Sequence, residues 1–115
     1  MSIRPVPAFE PPYYTVVFTS VMREDAEEFE EYGPTAERMA ELVKEIPGFL
    51  GYESARGANG LGITVGYFKD EASIEAWRRD VEHQAAQRRG IKQWYGSYSL
   101  HVAKVERSHS FEHGA

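Results

Sequence analysis

His83 is the side chain of this sequence best suited to moving a proton near neutral pH, because an unperturbed imidazole titrates at about 6.5. On a helix it shares a face with Gln87, four residues on, and with Arg79 or Asp80. It lies off the stripe formed by Ile74, Trp77, Val81 and Ala85, so the plain reading is a boundary residue. Trp77 is on that stripe, where packing is its first role and walling a pocket a compatible second one. Other chemistries are easier to exclude. With no cysteine there is no disulfide, thiolate metal site or thiol nucleophile. His109 and His113 are four apart but sit on a polar tail, which makes a metal site a poor reading. The glycines around Asn59 are not followed by Gly-Lys-Ser/Thr, so they form no phosphate loop, and no Ser/His/Asp grouping stands out.

The elements that must carry these residues follow from periodicity. Tyr13 to Val21 is β-branched and aromatic and reads as a first strand. Asp25 is placed to cap a helix whose apolar positions Phe29, Tyr32, Ala36, Met39, Val43 and Ile46 fall three or four apart. Gly33-Pro34 should kink or break it, which puts Tyr32 beside a candidate ligand cavity. Phe49 to Ala55 and Leu61 to Phe68 read as strands joined by the turn Arg56 to Gly60. On the second of these, Leu61, Ile63, Val65 and Tyr67 suit packing under helices. Gly62, Thr64, Gly66 and Phe68 suit close approach by a second sheet. Asp70 caps a second helix that ends at Gly90, with Arg88 and Arg89 at its C-terminal end. Trp94 and Tyr95 precede the last strand, Ser97 to Glu106, and could close a cavity mouth or make packing and interface contacts. His101 faces away from Leu100 and Val102 and reads as surface or interface.

The order is β-α-β-β-α-β, an α+β fold of the ferredoxin-like type: a four-stranded antiparallel sheet with two helices on one face. Its other face would expose an apolar patch, expected to include Phe68, and a second copy of the chain would cover it. The 115 residues fit one domain, with an extended proline-rich arm over 1–12, the folded unit over 13–107 and a loose polar tail over 108–115. Hydrophobic residues make up 42% of the chain, enough for a core. A net charge of −5 argues against nucleic acid as partner. No apolar run approaches the roughly 18 residues of a membrane span, and no signal core is present, so a cytoplasmic location is expected.

Several segments together resemble the antibiotic biosynthesis monooxygenase (ABM) family of dimeric α/β-barrel proteins, in the branch related to haem-degrading monooxygenases. They are Pro47-Gly48-Phe49-Leu50-Gly51 with Glu53-Ser54, then Gly60 to Val65, Trp77, Glu82-His83, Gln87 and Gly90. Trp94-Tyr95, Tyr98 and Val102 to Arg107 complete the match, which spans about residues 13 to 107. The resemblance implies a homodimer and a pocket between sheet and helices in each subunit. It also implies oxidation of a small aromatic or quinol-like molecule by O2 without cofactor. In such a pocket His83 would be the base, with Trp77, Tyr67, Gln87, Tyr32 and Trp94 against the substrate; Tyr67 and Tyr98 could donate to a phenolate.

Two other readings stay open. The haem-degrading branch carries an axial histidine ten residues after the tryptophan and an asparagine on the first strand. Here those places hold Gln87 and either Thr19 or Ser20, and glutamine is a poor haem ligand. The third reading is a non-catalytic dimer that binds a small hydrophobic molecule.

Overall fold

The computed structural model describes residues 4–24 and 29–114. Its elements run β1 (Tyr13–Met22), α1 (Phe29–Val43), β2 (Phe49–Arg56), β3 (Leu61–Phe68), α2 (Glu71–Arg79), α3 (Val81–Arg89), a π-helical turn (Gly90–Trp94) and β4 (Tyr95–Val105). The strands form one sheet in the order β2-β3-β1-β4, and every neighbouring pair is antiparallel. This is the ferredoxin-like α+β arrangement that the alternation of strand and helix patterns predicts. The expected Asp25 cap and the packing of the Phe29 side chain lie outside what is described.

Both helical regions depart from expectation. Helix α1 runs through Gly33-Pro34 as one helix instead of breaking there. The two residues are exposed, so water can satisfy the carbonyl that the missing proline N–H leaves free. The second helix, expected to be continuous to Gly90, is instead two helices divided at Asp80, whose ψ of 124° leaves helical space. Each has its own aspartate cap: Asp70 accepts from the Ser73 N–H at 2.8 Å, and Asp80 accepts from the His83 N–H at 2.9 Å. The break changes which residues face inward. Val81, expected on the core stripe, is 77% exposed, and Ala85 is exposed as well. Gly90 does not stop the helix in a left-handed cap; its φ is −59° and a π-helical turn continues from it.

The two faces of the sheet are also reversed from expectation. Register places Val16 opposite Gly66 and Val102, and Phe18 opposite Thr64 and Leu100. Tyr52 pairs with Gly66 and Ser54 with Thr64. This glycine-bearing set, with Phe68 only 2% exposed, lies under the helices. The branched set is on the open face, where Leu61 and Ile63 of β3 and Val21 of β1 remain about two-fifths exposed (41%, 44% and 38%). The tightly buried apolar side chains among the described residues are few: Tyr13, Met22, Val43, Phe68 and Trp94. A core that small leaves most of the apolar surface of this chain half-exposed.

Residues 4–12, before β1, have no regular secondary structure and lie over one end of the open face. The Val6 N–H donates to Glu53 at 2.8 Å, and Phe9 meets the Tyr13 ring edge-on at 5.4 Å. The tail holds the arm in turn. Ser108 donates to the Phe9 carbonyl at 2.8 Å, and Arg4 pairs with Glu112 at 3.0 Å.

Candidate functional site

Small residues on facing surfaces create the site. Gly66, Ser54 and Thr64 on the sheet lie across from Ala36 and Ala40 of α1, so neither layer supplies the volume needed to fill the gap. The result is a cavity of about 690 Å³, within the usual size range for small-molecule sites. Val16 and Phe18 of β1 contribute to its floor, and Met39 and Val43 of α1 to its roof. Trp77, His83 and Gln87 line it from α2 and α3, and Tyr32, Trp94 and Tyr95 from the other helix ends. Leu100 and Val102 of β4, 45% and 48% exposed, line its solvent-facing side.

The break at Asp80 sets the chemistry of His83. In a continuous helix the Trp77 carbonyl would accept the Val81 N–H; here it accepts the Asp80 N–H at 3.2 Å. The same carbonyl lies 2.9 Å from His83 Nδ1. A carbonyl only accepts, so Nδ1 carries the hydrogen, and in the neutral ring the lone pair is on Nε2. No bond to Nε2 is found among the described residues. The imidazole stacks on the Trp77 indole, with centroids 3.8 Å apart and planes 11° from parallel. Burial lowers the His83 pKa below the usual imidazole value, outweighing the Trp77 carbonyl and the Asp80 charge, which act the other way. His83 is therefore a neutral base at pH 7, held by its backbone and one ring nitrogen. Next to it, Glu82 takes Arg38 of α1 in a forked ion pair at 2.6 and 3.4 Å, which ties the roof to the wall that carries His83.

The other end of the cavity is built around Tyr32. The ring meets Trp94 edge-on at 5.2 Å and Tyr95 at 6.1 Å, and its hydroxyl is 3.5 Å from that of Tyr95. Arg56 Nη2 donates to the Tyr32 hydroxyl at 3.2 Å and to the buried Ser20 hydroxyl at 2.8 Å, while Nη1 donates to the Gly60 carbonyl. Gly62 makes room for this guanidinium, since a Cβ there would overlap it. Gly90 does the same for Tyr95, whose Cε2 would lie 2.5 Å from a Cβ. Burial, and then the bond to Tyr32, raise the Tyr95 pKa well above that of an ordinary phenol, with Arg56 opposing, so Tyr95 stays a neutral hydroxyl.

Five of the six residues singled out from the sequence, His83, Trp77, Gln87, Tyr32 and Trp94, come together around one cavity. Trp94 is only 2% exposed and supports Tyr32 from behind. Tyr67 is the correction. Its side chain is on the open face, where it donates to Glu53 at 2.5 Å beneath the arm. Burial, then that carboxylate, push its pKa up to about 12. Sequence reasoning missed Arg56, which it assigned to a turn, and the hydroxyl pair Ser54 and Thr64, 2.7 Å apart. The strand alternation that joins Arg56 to Gly62 across β2 and β3 was the available signal. No cluster of three metal-ligating side chains is found among the described residues.

The class of architecture is therefore a ferredoxin-like sheet roofed by helices over an aromatic-walled cavity, with one neutral imidazole in the wall. The sequence places it more narrowly. The family model for antibiotic biosynthesis monooxygenases matches residues 12–89, over half of the chain. The chain is also 50% identical over 103 residues to the protein YqjZ of Bacillus subtilis (strain 168), covering 90% of this chain and 88% of that one. It belongs to the antibiotic biosynthesis monooxygenase family. Solved structures share the fold at low identity. Rv0793 from Mycobacterium tuberculosis superimposes with a TM-score of 0.72 at 12% identity, covering 85% of this chain and 99% of that one. A variant of SnoaB, a cofactor-independent oxygenase from Streptomyces nogalater, gives 0.69 at 10% identity, covering 84% and 95%.

Proposed function

We propose that this chain is a cofactor-independent monooxygenase that oxidises a small phenolic or quinol-like aromatic with O2. The observation that carries the reading is His83: Nδ1 bonded to a backbone carbonyl, Nε2 without a described partner, in the wall of a largely apolar cavity. Nε2 takes the proton of the substrate hydroxyl. The phenolate, in a cavity whose lining surface is mainly apolar, is electron-rich enough to pass an electron to O2. One oxygen atom then bonds to a ring carbon in place of hydrogen. The other leaves as water with that hydrogen and the hydroxyl proton, so a phenol and O2 give a quinone and water without another reductant. The aromatic walls orient the ring.

Two copies of the chain pair through the open face of the sheet, in the manner implied by the family resemblance. The exposed Leu61, Ile63 and Val21 support this, since they form one apolar surface on the side without helices.

Oxygen uptake with a panel of naphthols and hydroquinones tests the activity. Consumption that depends on substrate and disappears in His83→Ala, with the circular dichroism unchanged, is the expected outcome. Full turnover in that variant would sink the role of His83. A second reading has support from the same nitrogen. An imidazole whose Nδ1–H is bonded to a carbonyl is oriented as a metal-ligating histidine is, so His83 would be the residue to hold a haem iron, through Nε2. The iron would then supply the O2 chemistry, and His83 would act as ligand instead of base. A hemin titration separates the two: a stoichiometric Soret band lost in His83→Ala favours haem, and none favours the cofactor-free reaction.

A further inference from the structure

The hydroxyl pair at the other end of the cavity has one hydrogen too many. Tyr32 and Tyr95 have two hydroxyl hydrogens and one bond between them, at 3.5 Å. Arg56 fills an acceptor position on Tyr32 at 3.2 Å and offers no acceptor itself. Tyr95 donates to Tyr32, so the hydroxyl hydrogen of Tyr32 is the one left over. Among the described residues no further side chain or carbonyl takes it. Both tyrosines line the cavity. Arg56 also has no carboxylate partner among the described residues, although each of Arg38, Arg78 and Arg79 has one.

We infer that Tyr32, Tyr95 and Arg56 form an oxygen-binding pole, which selects an aromatic ligand with an anionic oxygen at the end remote from the hydroxyl presented to His83. The leftover hydroxyl hydrogen donates to that oxygen, and the guanidinium behind Tyr32 strengthens the donor and favours negative charge. Arg56 is a positioning residue here, because it reaches the ligand through Tyr32. Its place is fixed by Ser20, Gly60 and the missing side chain of Gly62.

Geometry sets the size of the ligand. Tyr32 precedes Arg38 by six residues on α1, roughly 9 Å along the axis at 1.5 Å per residue. Arg38 holds Glu82, the neighbour of His83. The Tyr32 hydroxyl and the wall that carries His83 thus meet α1 at different points along its axis, and a cavity of about 690 Å³ has room for a fused bicyclic molecule with an oxygen at each end.

The inference rests on reading this cavity as the ligand site, but its test needs no turnover. Binding of 6-hydroxy-2-naphthoate and of 2-naphthol is measured anaerobically by quenching of tryptophan fluorescence. Wild-type protein should prefer the carboxylate by roughly tenfold or more. Tyr32→Phe and Arg56→Gln should each remove that preference while leaving 2-naphthol within about threefold of wild type, which also reports that the cavity is intact. His83→Gln should keep the preference. Equal binding of the two ligands by wild type, or a preference that survives in Tyr32→Phe and Arg56→Gln, would overturn the pole. Oxygen uptake bears only on the monooxygenase reading, so the two ideas can fail separately.

Discussion

The two faces of the one sheet have opposite compositions. Toward the helices β3 presents Gly62, Thr64, Gly66 and Phe68, and away from them Leu61, Ile63, Val65 and Tyr67. The side with less side-chain volume is the one that is roofed, and the missing volume becomes a cavity. The side with branched residues is the one without a roof. A sheet that must enclose a ligand keeps its inner face small. One that must also adhere to something keeps its outer face apolar and interlocking. The proposed function draws on one face and the proposed pairing on the other, and substitutions should separate the two.

The largest separation should come from His83→Ala. Removing a positioned base typically costs about 10²- to 10⁴-fold in rate. We expect a kcat loss of that order with the oligomeric state unchanged, read by oxygen electrode and by light scattering on the same sample. The complementary change is Ile63→Glu on the open face, where the native side chain is 44% exposed. A carboxylate in the middle of an apolar contact costs several kcal/mol of association, about a 100-fold or greater weakening. It should leave a folded monomer by light scattering. If Ile63→Glu stays dimeric, the open face is not the contact surface.

What could be read in the sequence divides along the same line. Strands appear through alternation and their turns through glycine and asparagine, and β3 is found at Leu61–Phe68 as expected. Alternation gives the two sets of residues but not which set faces the helices. Size suggests that the bulky set does, and a cavity inverts that rule. Tyr67 follows from the inversion: it belongs with Leu61 and Ile63, so placing that set under the helices put it in the pocket. The break at Asp80 is harder to see, because no glycine or proline marks it. The stripe Trp77, Val81 and Ala85 is consistent with an uninterrupted helix. The trace it leaves is local: an aspartate followed by a glutamate in the next turn, as at Asp70 and Glu71, which reads as a second start. Arg56 was hidden for another reason. Its partners Ser20 and Tyr32 come from β1 and α1, and only the folded register brings them to it.

A smaller effect should distinguish the arm from the cavity. Tyr67→Phe removes the hydroxyl that donates to Glu53, leaving that carboxylate with the Val6 N–H among its described partners. Net loss of one such bond is about 1–3 kcal/mol, since the acceptor is charged. We expect a lower Tm by calorimetry and the same turnover as wild type. A fall in kcat with no change in Tm would return Tyr67 to the site, against its position on the open face.

The smallest effect is a pH dependence that belongs to the cavity face alone. His83 has its pKa lowered by burial, so between its folded value and the unfolded value near 6.5 the unfolded chain binds more protons. Stability from this group is therefore fully present above about pH 6.5 and declines as pH falls toward the folded pKa. Asp80 and the Trp77 carbonyl both favour the charged ring, which keeps the displacement modest. In denaturant melts from pH 7.5 to 5, wild type should lose more stability than His83→Gln. The base should also fail as pH falls through the folded pKa of His83, because a protonated Nε2 cannot accept the substrate proton. If the His83→Gln and wild-type stability curves stay parallel down to pH 5, the imidazole is not titrating as a buried group.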